Sequence, residues 1–258
     1  MAVTSILNNV SALGASYELG ITGSGMQNTI QRLTTGKRIN KASDDASGLV
    51  IANGLTSQTM VDTQAQANAN NALSSLQTTD GTLNEATNLL TRAAELAQEA
   101  QGSGLTSGAQ SALNAEFQSI STTFNNLTST AATTLTTGLG TMNGGLSFTV
   151  TVSGITALQG DLGTVGGANS AASAISKSLA DLGTARGGIG AGEESLQSYA
   201  NVLGITMQNQ TAQLSQIQDA NVANEVVNLT KYQILNQSGI SALSKSNQAG
   251  QSILSLLQ

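Results

Sequence analysis

Proline, cysteine, histidine and tryptophan are all missing from this 258-residue chain, and aromatic residues make up only 2% of it. Without proline, nothing in the covalent backbone forces a long helix to stop. Without cysteine there is no disulfide framework and no thiol chemistry, which leaves the redox compartment open. Without histidine, neither a Ser-His-Asp triad nor a His-based zinc site can form. The scarcity of aromatics means little large-area burial per residue, which argues against one thick globular core and for extended packing of Leu and Ala. Charged residues amount to 9% of the chain, against about 25% in an ordinary domain.

The balance of charge is −6, with a pI near 4.5. Phosphate binding needs clustered Lys and Arg, so nucleic acid is not an expected partner. Four of the nine basic residues, Arg32, Lys37, Arg38 and Lys41, do fall close together, but Asp44 and Asp45 follow at once. That pattern reads as a local ion-pairing region. No apolar run approaches the ~20 residues that a membrane-crossing helix needs. The N-terminus lacks the basic, apolar and small-residue regions of a secretory signal, so export, if it occurs, is expected to use another route. Gly138-Leu139-Gly140 begins like a dinucleotide loop, yet Asn143 stands where a third glycine belongs. No residue is therefore assigned to catalysis, to a cofactor or to a metal.

What the chain does have is an apolar stripe at each end. Val3, Ile6, Val10, Leu13 and Tyr17 step along the N-terminus by threes and fours. From Val222 a four-then-three register runs through Val226, Leu229, Gln233, Asn236, Ile240, Leu243, Asn247 and Gly250 to Leu254 and Leu257. Both suit coiled-coil helices, with Gln233, Asn236 and Asn247 as candidates for fixing register. A helix with so narrow an apolar face cannot hide it alone, so each end is expected to pack on the other end or on further copies of the chain. The first helix, spanning residues 1 to about 33, is weakened by Gly20, Gly23 and Gly25, each costing ~1 kcal/mol relative to Ala.

Between the ends, Gly36 supplies a turn, and Asp44 and Asp45 are placed to cap a second helix running from about 45 to 100. At 1.5 Å per residue that helix is roughly 80 Å long. Gly102-Ser103-Gly104 breaks it, and Leu113, Phe117, Ile120, Phe124 and Leu127 mark a shorter third helix. Residues 130–170 are rich in Thr, Ser and Gly; the alternation of Leu146, Phe148, Val150 and Val152 beside Asn143-Gly144 predicts a small β-hairpin. Helical patterning resumes near Ala171 and slips by one near Asn221, which predicts a joint there. The expected fold is mainly α: long antiparallel helices and a terminal coiled coil, with a small β-hairpin region in mid-chain. Residues 1–43 with 219–258 are expected to form an inner terminal coiled-coil domain, and residues 44–218 an outer helical rod domain. If the ends run side by side, Arg32, Lys37 and Lys41 come level with Asp219 and Glu225 and can bridge two layers; the alternative is solvated charge worth ~0–1 kcal/mol.

The run QRLTTGKRINKASDDASGLVIA, from Gln31 to Ala52, closely resembles the signature of the bacterial flagellins. The opening MAVTSILNN and the segment from Gln218 to Glu225 are similar to that family's start and C-terminal joint. The resemblance implies a filament subunit that self-assembles through its terminal helices, with no enzymatic activity. It also implies an extracellular place in the bacterial flagellum, reached through the flagellum's own channel without signal cleavage. The partners it implies are further copies of the chain, the export apparatus, an export chaperone and the filament cap. A vertebrate innate immune receptor is a further partner, at a surface matched here by Arg92, Leu96 and Glu116, although Ala94 stands where a second Arg is usual. A hook-filament junction protein and a surface adhesin or immune ligand are the alternative readings.

Overall fold

The computed structural model describes residues 9–102, 104–131, 134–138 and 147–255. In chain order these form α1 (Val10–Thr35), α2 (Ala46–Ala100), α3 (Ser107–Ala131), β1 (Thr134–Gly138), β2 (Ser147–Thr151), α4 (Val165–Gln218) and α5 (Val222–Ser255). The mainly helical fold expected from the missing prolines is what forms. Each helix starts on a short polar side chain that accepts a free N–H of the first turn. Asn9 Oδ1 accepts from Ala12 N at 3.0 Å, Asp45 Oδ1 from Gly48 N at 2.8 Å and Thr106 Oγ1 from Ala109 N at 3.3 Å. Thr164 Oγ1 accepts from Gly167 N at 3.0 Å and Asn221 Oδ1 from Asn224 N at 3.2 Å. Helix α1 ends at Gly36, whose φ of 69° is the left-handed conformation that releases the chain.

Helix α4 starts at Val165, six residues before Ala171. The glycines at 166 and 167 suggest a loop, but they lie in the capped first turn. A Cβ at Gly167 would collide with the Asp161 carbonyl oxygen, so this turn is closed by backbone approach that only glycine permits.

The chain divides into two compact units, Met1–Ser57 with Gln210–Gln258, here called the terminal unit, and Gln58–Asn209, the central unit. The core of the central unit is built from Leu76, Leu83, Leu90, Leu96, Phe117, Phe124, Leu158, Leu162, Leu182, Ile189 and Leu196, all buried. In that unit α2 and α4 run antiparallel: Arg186 makes a bidentate pair with Asp80 at 2.8 and 3.1 Å, and Thr63 meets Met207. Strands β1 and β2 form an antiparallel hairpin with Leu135 opposite Val150 and Thr137 opposite Phe148. The expected Asn143-Gly144 turn and Leu146 lie outside the described residues.

A polar stripe on α3 holds the extended segment that leads into α4. Gln110 donates to the Leu162 carbonyl at 3.1 Å, Asn114 accepts from Leu162 N at 2.9 Å, and Gln118 donates to the Gly160 carbonyl at 2.7 Å. Ser121 and Asn125 both donate to the Leu158 carbonyl, at 2.6 and 3.1 Å, while Asn125 accepts from Leu158 N at 2.9 Å. This strap supplies its buried backbone with the partners that an isolated loop lacks. On its far side Asp181 accepts the Thr156 hydroxyl and N–H, which holds its carboxyl below the usual carboxylate range.

Candidate assembly surface and helix junction

Within the terminal unit α1 and α5 pair antiparallel. Asn9 and Ser246 exchange hydrogen bonds at 3.1 Å at one end, and Arg32 meets Glu225 at 3.4 Å at the other. The seam between them is lined on α1 by Ala12, Ala15, Leu19, Thr22, Met26 and Thr29, and on α5 by Glu225, Leu229, Tyr232, Asn236, Gly239 and Leu243, all buried or half-buried. Their spacing alternates between three and four residues, as a two-helix seam requires.

The stripe expected from hydrophobicity is a different one. Leu13 is 73% exposed and Tyr17 71%, and Val10, Val226 and Ile240 are exposed with them. Leu229 and Leu243 are shared by both patterns. Leu254 lies within α5, and Val3, Ile6 and Leu257 lie outside the described residues. Of the polar candidates for register, Asn236 is half-buried in the seam, whereas Gln233 and Asn247 are exposed. The pair therefore covers small and polar residues together with Leu19, Met26, Leu229, Tyr232 and Leu243, and leaves a second set of large apolar residues facing outward. Ile21, Ile30, Val222, Val227 and Ile234 add to that outward set.

At the base of the pair four helix ends meet: the C-termini of α1 and α4 and the N-termini of α2 and α5. Arg38 N donates to the Gln218 carbonyl at 2.6 Å and Ala220 N to the Gly36 carbonyl at 2.9 Å, which makes Lys37 and Asp219 a single antiparallel bridge. Arg38 Nη2 also donates to the Ile217 carbonyl at 2.9 Å and lies 3.5 Å from Asp45 Oδ2. One guanidinium thus caps the last turn of α4 and pairs with the residue that caps α2. Lys37 and Asp219 meet through main chain, and Lys41 contributes its N–H to Asp44; of the anticipated interlayer charge pairs, Arg32 with Glu225 forms. That pair is partly withdrawn from water, with Glu225 10% and Arg32 34% exposed in their side chains, and Glu225 Oε2 is buried without a hydrogen-bond partner.

Of the two anticipated caps, Asp45 performs the role and Asp44 braces the turn before it, accepting the N–H groups of Asn40 and Lys41 at 3.0 Å each. Ile39, the one large apolar residue of the connector, is 2% exposed. A Cβ on Gly48 would lie 2.8 Å from its Cδ1, so Gly48 leaves room for this plug. The N–H groups of Asn40 and Lys41 lower the Asp44 pKa below its ordinary 3.8, and those of Gly48, then the Ser47 hydroxyl, lower that of Asp45. Because both are depressed in the folded state, their contribution is complete above 3.8 and is lost as the pH falls from there through the folded values. Carboxyl titration by NMR is expected to place both groups below 3.8, and the junction to loosen over that acid interval. Asp44→Asn is expected to reduce the acid dependence.

In the central unit Arg92 donates to Glu116 at 2.8 and 3.0 Å and to Glu95 at 3.0 Å, and these carboxylates, Glu116 foremost, raise its pKa. Leu96 is not on that surface; it is 1% exposed and belongs to the core. Among the described residues no group of acidic or metal-ligating side chains is arranged to hold a metal ion, and no helix is long and apolar enough to cross a membrane.

A seam that satisfies only part of the apolar surface of its own helices defines a structural, self-associating helical protein. Comparison with known proteins agrees. The family of the bacterial flagellin N-terminal helical region matches residues 6–137, and that of the bacterial flagellin C-terminal helical region matches residues 172–257. The chain is 30% identical to the flagellar filament 30.7 kDa core protein of Treponema maltophilum and 31% to flagellin FlaB1 of Treponema pallidum, in each case over 98% of this chain and 99% of the relative. It is 32% identical to a flagellin of Halalkalibacterium halodurans over the same shares. The chain belongs to the bacterial flagellin family. It is a structural subunit of the extracellular flagellar filament and not an enzyme.

Proposed function

We propose that this subunit polymerises by burying the outward apolar residues of α1 and α5 against the same helices of neighbouring copies, for motility. The observation that carries this reading is the exposure of Leu13, Tyr17, Val226 and Ile240 on helices whose shared seam leaves them uncovered. In this reading residues 1–43 with 219–258 make up the inner terminal coiled-coil domain and residues 44–218 the outer helical rod domain. Ordering a residue costs ~1–2 kcal/mol, and a single narrow two-helix seam returns only part of it. The ends of a free subunit are thus largely unfolded and become helical as neighbours cover them. Repeating the contact head to tail extends the polymer instead of closing it.

An unfolded end is also the form in which a subunit passes a narrow channel. Export through the flagellar apparatus without signal cleavage, an export chaperone that shields the exposed stripes and a filament cap belong to the same reading. The Arg92 face serves packing between subunits ahead of an immune receptor, because Arg92 is already engaged by Glu95 and Glu116 and Leu96 is withdrawn into the core.

Limited proteolysis and far-ultraviolet circular dichroism before and after seeded polymerisation test the proposal. The monomer is expected to be cut within both terminal segments and to gain helix on assembly. Equal helix content in the two states counts against it.

A further inference from the structure

The α1–α5 seam carries two places where a large side chain on one helix sits in a gap left by a glycine on the other. A Cβ on Gly25 would lie 2.7 Å from the Tyr232 ring, and one on Gly239 would lie 2.9 Å from Leu19 Cδ1. The gaps are reciprocal, one on each helix; the third level withdrawn from water is the Arg32–Glu225 pair, while the Asn9–Ser246 hydrogen bonds lie exposed at the far end. The small seam residues of α1, Ala12, Ala15, Thr22 and Thr29, are too alike to tell one alignment from another.

We infer that these three pairs are the specificity determinants of subunit folding: they admit one register of α1 against α5 and close it within a single chain. The inference rests on the proposal that the terminal helices polymerise. A slip of one heptad in one direction sets Tyr232 against Leu19, two bulky groups where one gap was provided, and brings Glu225 to Gly25 with no cation. The opposite slip faces Gly239 with Gly25, leaving a void, and carries Glu225 past the end of α1. Either way a carboxylate that is nearly buried loses its partner, the most costly change such a seam can suffer. Closure within the chain follows from the junction: Ala220 N bonds the Gly36 carbonyl, four residues from Arg32 and five from Glu225. Their local concentration far exceeds that of a neighbour's side chains.

The test uses the full chain and the critical concentration for seeded elongation. Arg32→Glu and Glu225→Arg alone are each expected to raise it by about tenfold or more. The double variant R32E/E225R is expected to return within about threefold of the parent. An equal mixture of the two single variants is expected to stay as poor as either alone, since each chain still opposes like charges. Gly25→Leu is expected to fail in the same way and to be rescued by adding Tyr232→Ala. A mixture that elongates as well as the double variant overturns closure within the chain, and rescue by neither double variant overturns the register determinants. If instead the terminal helices are not the polymerising elements, every variant elongates like the parent, as does a chain trimmed of both ends.

Discussion

A subunit carrying Leu13→Asp and Tyr17→Asp is expected not to elongate filaments under conditions where the parent chain does. Both side chains are more than two-thirds exposed, so neither supports the fold of the chain that carries it. Covered by neighbours, each contributes about 1.5–3 kcal/mol from burial. Losing both costs about 3–6 kcal/mol per subunit, or about 10²–10⁴ in critical concentration. Aspartate deepens the loss, because a charge without a partner is then brought to an apolar contact. Thermal unfolding of the central unit is expected to be unchanged, since Leu13 and Tyr17 lie outside its core. Electron microscopy after seeding, with sedimentation to measure polymer, reads the outcome. Filaments of normal length and yield from this variant would mean that the outward stripe is not the assembly surface.

The parts of the fold set by local chemistry were legible from the residues. The span of α2, the break at Gly102, α3 and the second strand of the hairpin follow from periodicity, capping side chains and turn glycines, which act over a few residues. The joint near Asn221 was readable as a slip in the heptad. What stayed hidden depends on a partner that only the fold supplies. The α1 side of the seam is largely Ala and Thr, so hydrophobicity pointed there to a face that the chain does not use for itself, whereas on α5 Leu229 and Leu243 belong to both patterns. Gly25 read as a weakness of α1, and becomes a socket only once Tyr232 is set opposite. Charge proximity suggested Lys37 and Lys41 as bridging groups, yet their strongest links run through main-chain N–H and carbonyl groups, which every residue possesses. Arg38 was visible as one of a basic cluster; its task of joining the ends of α4 and α2 was not, because it needs two helices from distant parts of the sequence.

Phe117→Ala is expected to be the most damaging single change in the central unit. Phe117 is fully buried, and the segment opposite comes so close that a Cβ on Gly160 would lie 3.3 Å from its Cε1 and 2.7 Å from the Ala171 Cβ. Three elements meet there: α3, the strap that precedes α4, and α4 itself. Removing a buried phenyl ring costs about 3–5 kcal/mol in lost transfer energy and residual cavity. The neighbourhood cannot collapse cheaply, because the strap is pinned on both sides of Gly160 by Gln118, Ser121 and Asn125 toward one end and by Gln110 and Asn114 toward the other. Those bonds hold the backbone where it is, and the cavity stays open. For a unit of this size the loss corresponds to a fall of about 6–20 °C in melting temperature. Calorimetry of the variant measures it, with Phe117→Leu as the comparison that returns most of the volume and is expected to recover more than half of the loss. Since Phe117 is no part of the α1–α5 seam, elongation well below the new melting temperature is expected to proceed as in the parent. A melting temperature equal to the parent's would show that the ring does not anchor α3 to the strap, and that the polar stripe alone holds them together.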